Sequence, residues 1–450
     1  MPANRQFKAL RKFLLSKKTI IALIILIFTA IITGYVFPQR FSTSPADLWK
    51  WKETHPFWAP WVRRIGLDHV YTTPWFAILL LVFLLSLITS LIEQTKTSIR
   101  KTYGKSIPLF FPESFITEGK GGSFESARSE EVLTKAIKKE GYFQFAEGYN
   151  WTRFTKYPWG HWGNVLLHFG IVIAIASSLL IVLTQQRGVV SLVEGESFAP
   201  GSDWTLETHG ILAKELVLPA TLRIDKVIPE FWETDDLKQL TTEFSFIDSH
   251  SDAGSFKISI NKVVNYKGIR LYQKDFGPAL YVTFIDKDGT VTRSILLIPV
   301  PSRRDQASYR DFTVTSVPFK IETKYFADAR KKSMDSLDPL LVLRFLKSGR
   351  VVGETQLRVG ESGKIGHYTA NLVSASKWVS LIFVAVSGMS GIYLSFFVIV
   401  LGGVLHYFTP PRDFIIIKSE GRILVSWRGT RFTRFYVDEY ERLESAFKKT

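Results

Sequence analysis

The chain has 450 residues and carries 57 Lys and Arg against 41 Asp and Glu, a formal charge of +16. It contains no cysteine, which excludes a thiol relay, a disulfide and a cysteine metal site within it. In a soluble protein such basicity would point to nucleic acid. Here much of it flanks long apolar stretches, where membrane topology and contact with anionic lipid account for it, so no nucleic-acid partner is expected.

Residues 1–18 hold Arg5, Lys8, Arg11, Lys12, Lys17 and Lys18 and lead into the first apolar stretch, 19–37, close to the roughly 20 residues a helix needs to cross a bilayer. It is longer than a secretory signal core and has no small-residue cleavage pattern before Pro38, so it is expected to stay as an anchor. Segment 38–73 is rich in tryptophan, with Trp49, Trp51, Trp58 and Trp61 near Phe57, and Trp75 opens the second stretch, 74–92. Interfacial aromatic belts explain such tryptophans. His55 and His69 lie in the same loop without a spacing that marks a metal site.

Segment 93–163 starts with Lys96, Arg100, Lys101 and Lys105 and predicts one soluble helix. Ser129 caps it, Glu130 and Glu131 suit its positive end, Leu133, Ala136 and Ile137 form its apolar stripe, and Gly141 stops it. A strand is expected at 142–145. Gly119-Lys120-Gly121-Gly122 is expected to be a flexible loop. The third stretch, 164–184, and the fourth, 392–408, bracket residues 185–391, and a basic tail with Arg412, Lys418, Arg422 and Arg428 fills 409–450. The four stretches are apolar on every face, unlike a helix buried in a soluble protein.

Lys and Arg beside the segment ends place the N-terminus, segment 93–163 and the tail in the cytoplasm, leaving 38–73 and 185–391 outside. Residues 185–391 read as short strands rich in Val, Ile, Phe, Tyr and Thr. Asp288-Gly289 and Ser348-Gly349 look like hairpin turns. The predicted architecture is a membrane protein with four transmembrane helices, a large extracytoplasmic mostly-β domain (sandwich or open barrel) and a small cytoplasmic α/β insertion.

Phosphate-cradling glycine loops, HExxH and Gly-x-Ser-x-Gly are absent, and the acidic residues show no paired spacing, so the chain gives no case for an independent enzyme. Two histidines are the exception. His168 lies in the first turns of the third helix, where an imidazole needs a partner or a cofactor. Asn164 is one turn below it, and Gly170, Ala174 and Ser178 allow another helix to come close. On the fourth helix Ser395, Ile399, Gly402 and His406 share a face. Imidazole ligates haem iron, which makes His168 and, more weakly, His406 candidate axial ligands. The alternatives are a helix-to-helix hydrogen bond for His168 and an interfacial ring for His406. Trp58, Trp61 and Trp75 are candidate haem contacts.

The segments in order resemble the ResB-like (CcsB) membrane proteins of the System II pathway of cytochrome c biogenesis. The resemblance rests on Gly34-Tyr35-Val36-Phe37-Pro38-Gln39; Ile65-Gly66-Leu67-Asp68-His69-Val70-Tyr71 with Trp75-Phe76; Trp162-Gly163-Asn164-Val165-Leu166-Leu167-His168-Phe169-Gly170; Asn261 with Tyr266-Lys267-Gly268-Ile269-Arg270-Leu271-Tyr272-Gln273; and Tyr407-Phe408-Thr409-Pro410-Pro411-Arg412. Ser387-Gly388-Met389-Ser390-Gly391 departs from the family's usual Lys-Asp-Pro-Gly turn, Pro74-Trp75 from its paired tryptophan, and Ile92-Glu93-Gln94-Thr95 from a segment that often holds cysteine.

The resemblance implies an accessory subunit of a haem delivery and ligation complex in a bacterial cytoplasmic membrane or a thylakoid. It would work with a polytopic ResC or CcsA partner on apocytochrome c. Haem b would be held transiently, with His168 as one axial ligand and the partner supplying the other; the family pattern supports His168 and not His406. A scaffold that binds no haem is the alternative. A self-contained two-haem electron carrier would need four ligands, and the helices offer two.

Overall fold

A computed structural model describes residues 2–40, 43, 45–103, 121–126, 128–248, 251–314, 317–335, 338–347, 350–419 and 421–448. The chain divides into two compact units, Met1–Val182 with Ser387–Thr450, and Leu183–Val386.

The first unit holds helices α1 (Pro2–Leu14), α2 (Lys17–Val36), α3 (Pro45–Thr54), α4 (Trp58–Ile65), α5 (Pro74–Tyr103), α6 (Glu130–Lys139), α7 (Gly163–Thr184), α8 (Met389–Phe408) and α9 (Val437–Phe447). Helices α2, α5, α7 and α8 are long and apolar enough to cross a membrane. Ile21, Phe28, Ile78, Phe396 and Val400 point away from protein, as lipid-facing side chains do. Helix α5 runs past the expected end at residue 92 because Glu93 to Tyr103 contains no Gly or Pro to stop it.

Small residues decide how α7 meets α8. A Cβ on Gly163 would fall 2.4 Å from His406 N, one on Gly170 would fall 2.9 Å from Ile399 N, and one on Gly402 2.5 Å from Leu167 N. The two helices are antiparallel and in near backbone contact. Of the expected Gly170, Ala174 and Ser178, Gly170 lies at the contact, which continues through Gly163 and through Ser177 beside Gly391. Ser178 instead donates to Ala174 O within its own helix.

The unit also contains β1 (Gly121–Ser126), β2 (Phe143–Gly148), β3 (Trp151–Lys156), β19 (Arg412–Ser419) and β20 (Arg422–Gly429), joined in the order β1-β20-β19-β3-β2. The C-terminal tail, expected only as a basic segment, is therefore half of a folded α/β module. Its core is Phe124, Leu133, Ile137, Phe154, Phe414, Ile416, Val425 and Trp427, with α6 and α9 supplying Leu133, Ile137, Tyr440 and Leu443. Ser129 precedes α6 as expected but makes no side-chain cap hydrogen bond. Gly121 and Gly122, expected in a flexible loop, lie in β1; residues 119 and 120 lie outside the described residues.

In the second unit, β4 (Gln186–Val193), β6 (Leu206–His209), β10 (Val264–Tyr266), β11 (Ile269–Ile285), β12 (Val291–Leu297), β17 (Ser362–Ile365) and β18 (Tyr368–Ala385) form a seven-stranded sheet. A second sheet is β5 (Ser197–Phe198), β7 (Thr221–Phe231), β8 (Leu237–Asp248) and β9 (Ser251–Ser259); a third is β13 (Ser308–Thr313), β14 (Lys320–Phe326), β15 (Leu340–Lys347) and β16 (Arg350–Leu357). The paired strands β11 and β18 run through two separate cores. One gathers Leu222, Phe244, Leu271 and Phe383; the other gathers Leu280, Ile321, Phe345 and Leu372. The mostly-β expectation holds, as two sandwich halves sharing one long sheet. Asp288-Gly289 turns between β11 and β12 with Gly289 at φ 82°, whereas Ser348-Gly349 lies outside the described residues.

Candidate functional site

The second turn of α7 positions His168. Its ring Nδ1 is 3.0 Å from the carbonyl oxygen of Asn164. A carbonyl only accepts, so Nδ1 carries the proton and the lone pair is on Nε2. Nε2 has no hydrogen-bond partner among the described residues. A half-buried imidazole whose Nδ1–H is held by a backbone carbonyl turns its other ring nitrogen outward, the orientation in which histidine ligates a transition metal. The donor set therefore fits haem iron through one axial position.

Asn164 holds this turn against α5, its side-chain amide donating to Gln94 Oε1. Four residues further along α5, Ser98 donates to His161 O at 2.9 Å. These two bonds set α7 antiparallel to α5. Between them and the end of α8 lies a polar cavity of about 470 Å³, lined among others by Gln94, Ser98, Lys101, Asn164, His406 and Arg431.

His406 opens on this cavity but is differently placed from His168. Arg431 Nη1 lies against Nδ1 of His406 and 2.9 Å from Nε2, while its Nη2 donates to Gly160 O at 2.8 Å. Arginine only donates, so the imidazole accepts through its lone pair and has none left for iron. Of the two candidate ligands, only His168 keeps a ring nitrogen without a partner among the described residues.

The tryptophans fall elsewhere. Trp58 and Trp61 are 54% and 50% exposed on α4. Trp75 donates to Ile65 O at 3.0 Å and faces an apolar groove between α2 and α5 lined by Leu26, Ala30, Ile78 and Val82. Nineteen residues separate Trp75 from Gln94, about 28 Å of helix, and His168 lies about 6 Å back toward it. Trp75 and His168 do not line one porphyrin site. His55 stacks on Trp51 at 5.0 Å, and His69 Nδ1 bonds Asp68 Oδ1 at 2.7 Å. The side chain of Trp49 lies outside the described residues. Lys101 and Arg431 went unnoticed as site residues in the sequence; they come from opposite ends of the chain and no local motif joins them.

A model of the ResB-like family matches residues 17–426. The chain belongs to the ResB-like family. A "Cytochrome c biogenesis protein CcsB" from Nostoc sp. is 24% identical over 439 residues, covering 94% of this chain and 90% of the relative. The chloroplastic "Cytochrome c biogenesis protein CCS1" of Arabidopsis thaliana is 23% identical over 259 residues, 56% of this chain and 45% of the relative. Among solved structures, "Cytochrome c Heme Lyase CcmF" is similar over 79% of this chain and 42% of its own, at 8% identity and a TM-score of 0.23, too slight a likeness to carry an argument.

Proposed function

We propose that the chain is a membrane subunit of a System II cytochrome c biogenesis complex, which helps to carry haem across the membrane and present it for covalent attachment to apocytochrome c. The observation that carries this reading is His168, whose Nδ1 is committed to Asn164 O and whose Nε2 has no partner among the described residues. The names of the relatives from Nostoc and Arabidopsis support the pathway. Haem is the cargo, held as haem b through the iron, with a ResC or CcsA partner supplying the second axial ligand. His168 binds and orients it. Thioether formation needs the thiols of the apocytochrome and no acid or base from this chain. The basic residues beside the segment ends support a cytoplasmic α/β module and a β unit outside, where it meets apocytochrome c. The membrane is the bacterial inner membrane, or the thylakoid membrane in a plastid.

The test is the absorption spectrum and haem content of the complex purified with its partner, beside the same complex carrying His168→Gly. Loss of a low-spin haem spectrum, restored by added imidazole, is the expected result. Unchanged haem at full occupancy would instead make the chain a scaffold.

A further inference from the structure

The polar cavity beside Asn164 carries two cations that no carboxylate among the described residues neutralises. Lys101 forms no ion pair there, and Arg431 bonds only the neutral His406 ring and Gly160 O. The one acidic lining residue, Glu93, is held 2.7 Å from Arg11 and 3.3 Å from Lys96. Lys101 is exposed and Arg431 half-buried, and the positive potential the two share across the cavity favours an anionic occupant. Asn164, which lines the cavity, precedes His168 by one turn of α7, about 6 Å along the helix axis. Gln94, Ser98 and Asn164 add hydrogen-bonding groups around the cavity.

A porphyrin carries its two carboxylates along one edge, so iron held at His168 leaves them to extend toward one end of the bundle. We infer that this cavity is the seat of the haem carboxylates, with Lys101 and Arg431 as their counter-ions. The inference rests on the haem-carrier reading above and adds to it the part of the cargo that the protein recognises by charge. Arg431 belongs to the segment following β20, so the α/β module contributes to the seat directly. A phospholipid phosphate offers similar chemistry; the turn shared by Asn164 and His168 favours the haem carboxylates.

The test uses the full chain in zwitterionic-lipid nanodiscs, titrated with ferric protoporphyrin IX and with its dimethyl ester. The wild type is expected to bind the diacid about tenfold more tightly than the diester, as charge-assisted hydrogen bonds require. Lys101→Gln should remove most of that preference and leave the spectrum of bound haem unchanged. Arg431→Lys, which keeps the charge where Arg431→Gln would also release Gly160 O, should retain the preference. His168→Gly should change the spectrum yet keep the diacid preference, so failure of the ligand reading shows separately. Equal binding of diacid and diester, no binding of either, or an unaltered preference in Lys101→Gln would each overturn the inference. So would loss of the preference when phosphatidylglycerol is added, which would give the cavity to lipid phosphate.

Discussion

Tyr142 is the hub of the α/β module. Its hydroxyl accepts from Trp427 Nε1 at 3.0 Å and donates to Glu439 Oε2 at 2.6 Å, and Glu439 also meets Lys156 and Arg412. Burial, and then the Glu439 carboxylate, push the phenol well above its usual value. Tyr142→Phe leaves Trp427 without its acceptor, and a loss of about 1–3 kcal/mol is expected in denaturant titrations of the full chain in detergent. The unfolded phenol ionises near pH 10 while the folded one stays neutral to higher pH, so the unfolded state binds fewer protons there and stability falls. The advantage of wild type over Tyr142→Phe should therefore be full at pH 8 and shrink above about pH 10; an advantage that grows would contradict the assignment. None of this network is legible in the sequence, because Trp427 lies 285 positions from Tyr142. His168 is legible, since an imidazole in an apolar helix stands out by itself. The fate of His406 is not, because the arginine that occupies its lone pair follows a strand beyond the end of α8.

At the level of elements, the tightest sequence-to-structure link is the α7–α8 contact. Gly170→Leu would drive a side chain into the α8 backbone near Ile399, whereas Gly403 has only Leu167 Cδ2 at 4.0 Å before a Cβ there. Gly170→Leu is expected to lower thermal stability in detergent by about 1–3 kcal/mol, with Gly403→Leu close to wild type. Equal effects of the two would mean that the helices do not pack as described. The four helices were legible to within a few residues, save where α5 continued into polar sequence. The hairpin at Tyr266-Lys267-Gly268-Ile269 shows why a motif can be read before its reason is known. Lys267 and Gly268 both take positive φ, 48° and 87°, as a two-residue hairpin turn requires, and Tyr266 stacks on Phe246 at 3.8 Å. Strand order was not legible, because β11 pairs with β18 about a hundred positions later and alternation fixes a strand's faces but not its neighbours.

For the whole molecule, the proposed topology is testable because the chain has no cysteine of its own. Lys287→Cys, exposed in the β unit, should react with an impermeant maleimide applied outside intact cells. Lys135→Cys, exposed on α6, should react only after permeabilisation. Labelling of both from the same side would overturn the assigned sidedness. The α/β module has a further consequence for how the protein is made. Strands β20 and β19 sit between β1 and β3, and Arg153 of β3 pairs with Asp413 of β19 across 260 positions. A ribosome therefore releases β1 and β3 long before the strands that will lie between them, and two more crossings and the whole β unit are synthesised in the interval. Until the hairpin of β19 and β20 emerges, two open strand edges remain available to proteases and chaperones. The sheet closes only after the last apolar helix has been synthesised, so its closure is a late event in the making of the chain.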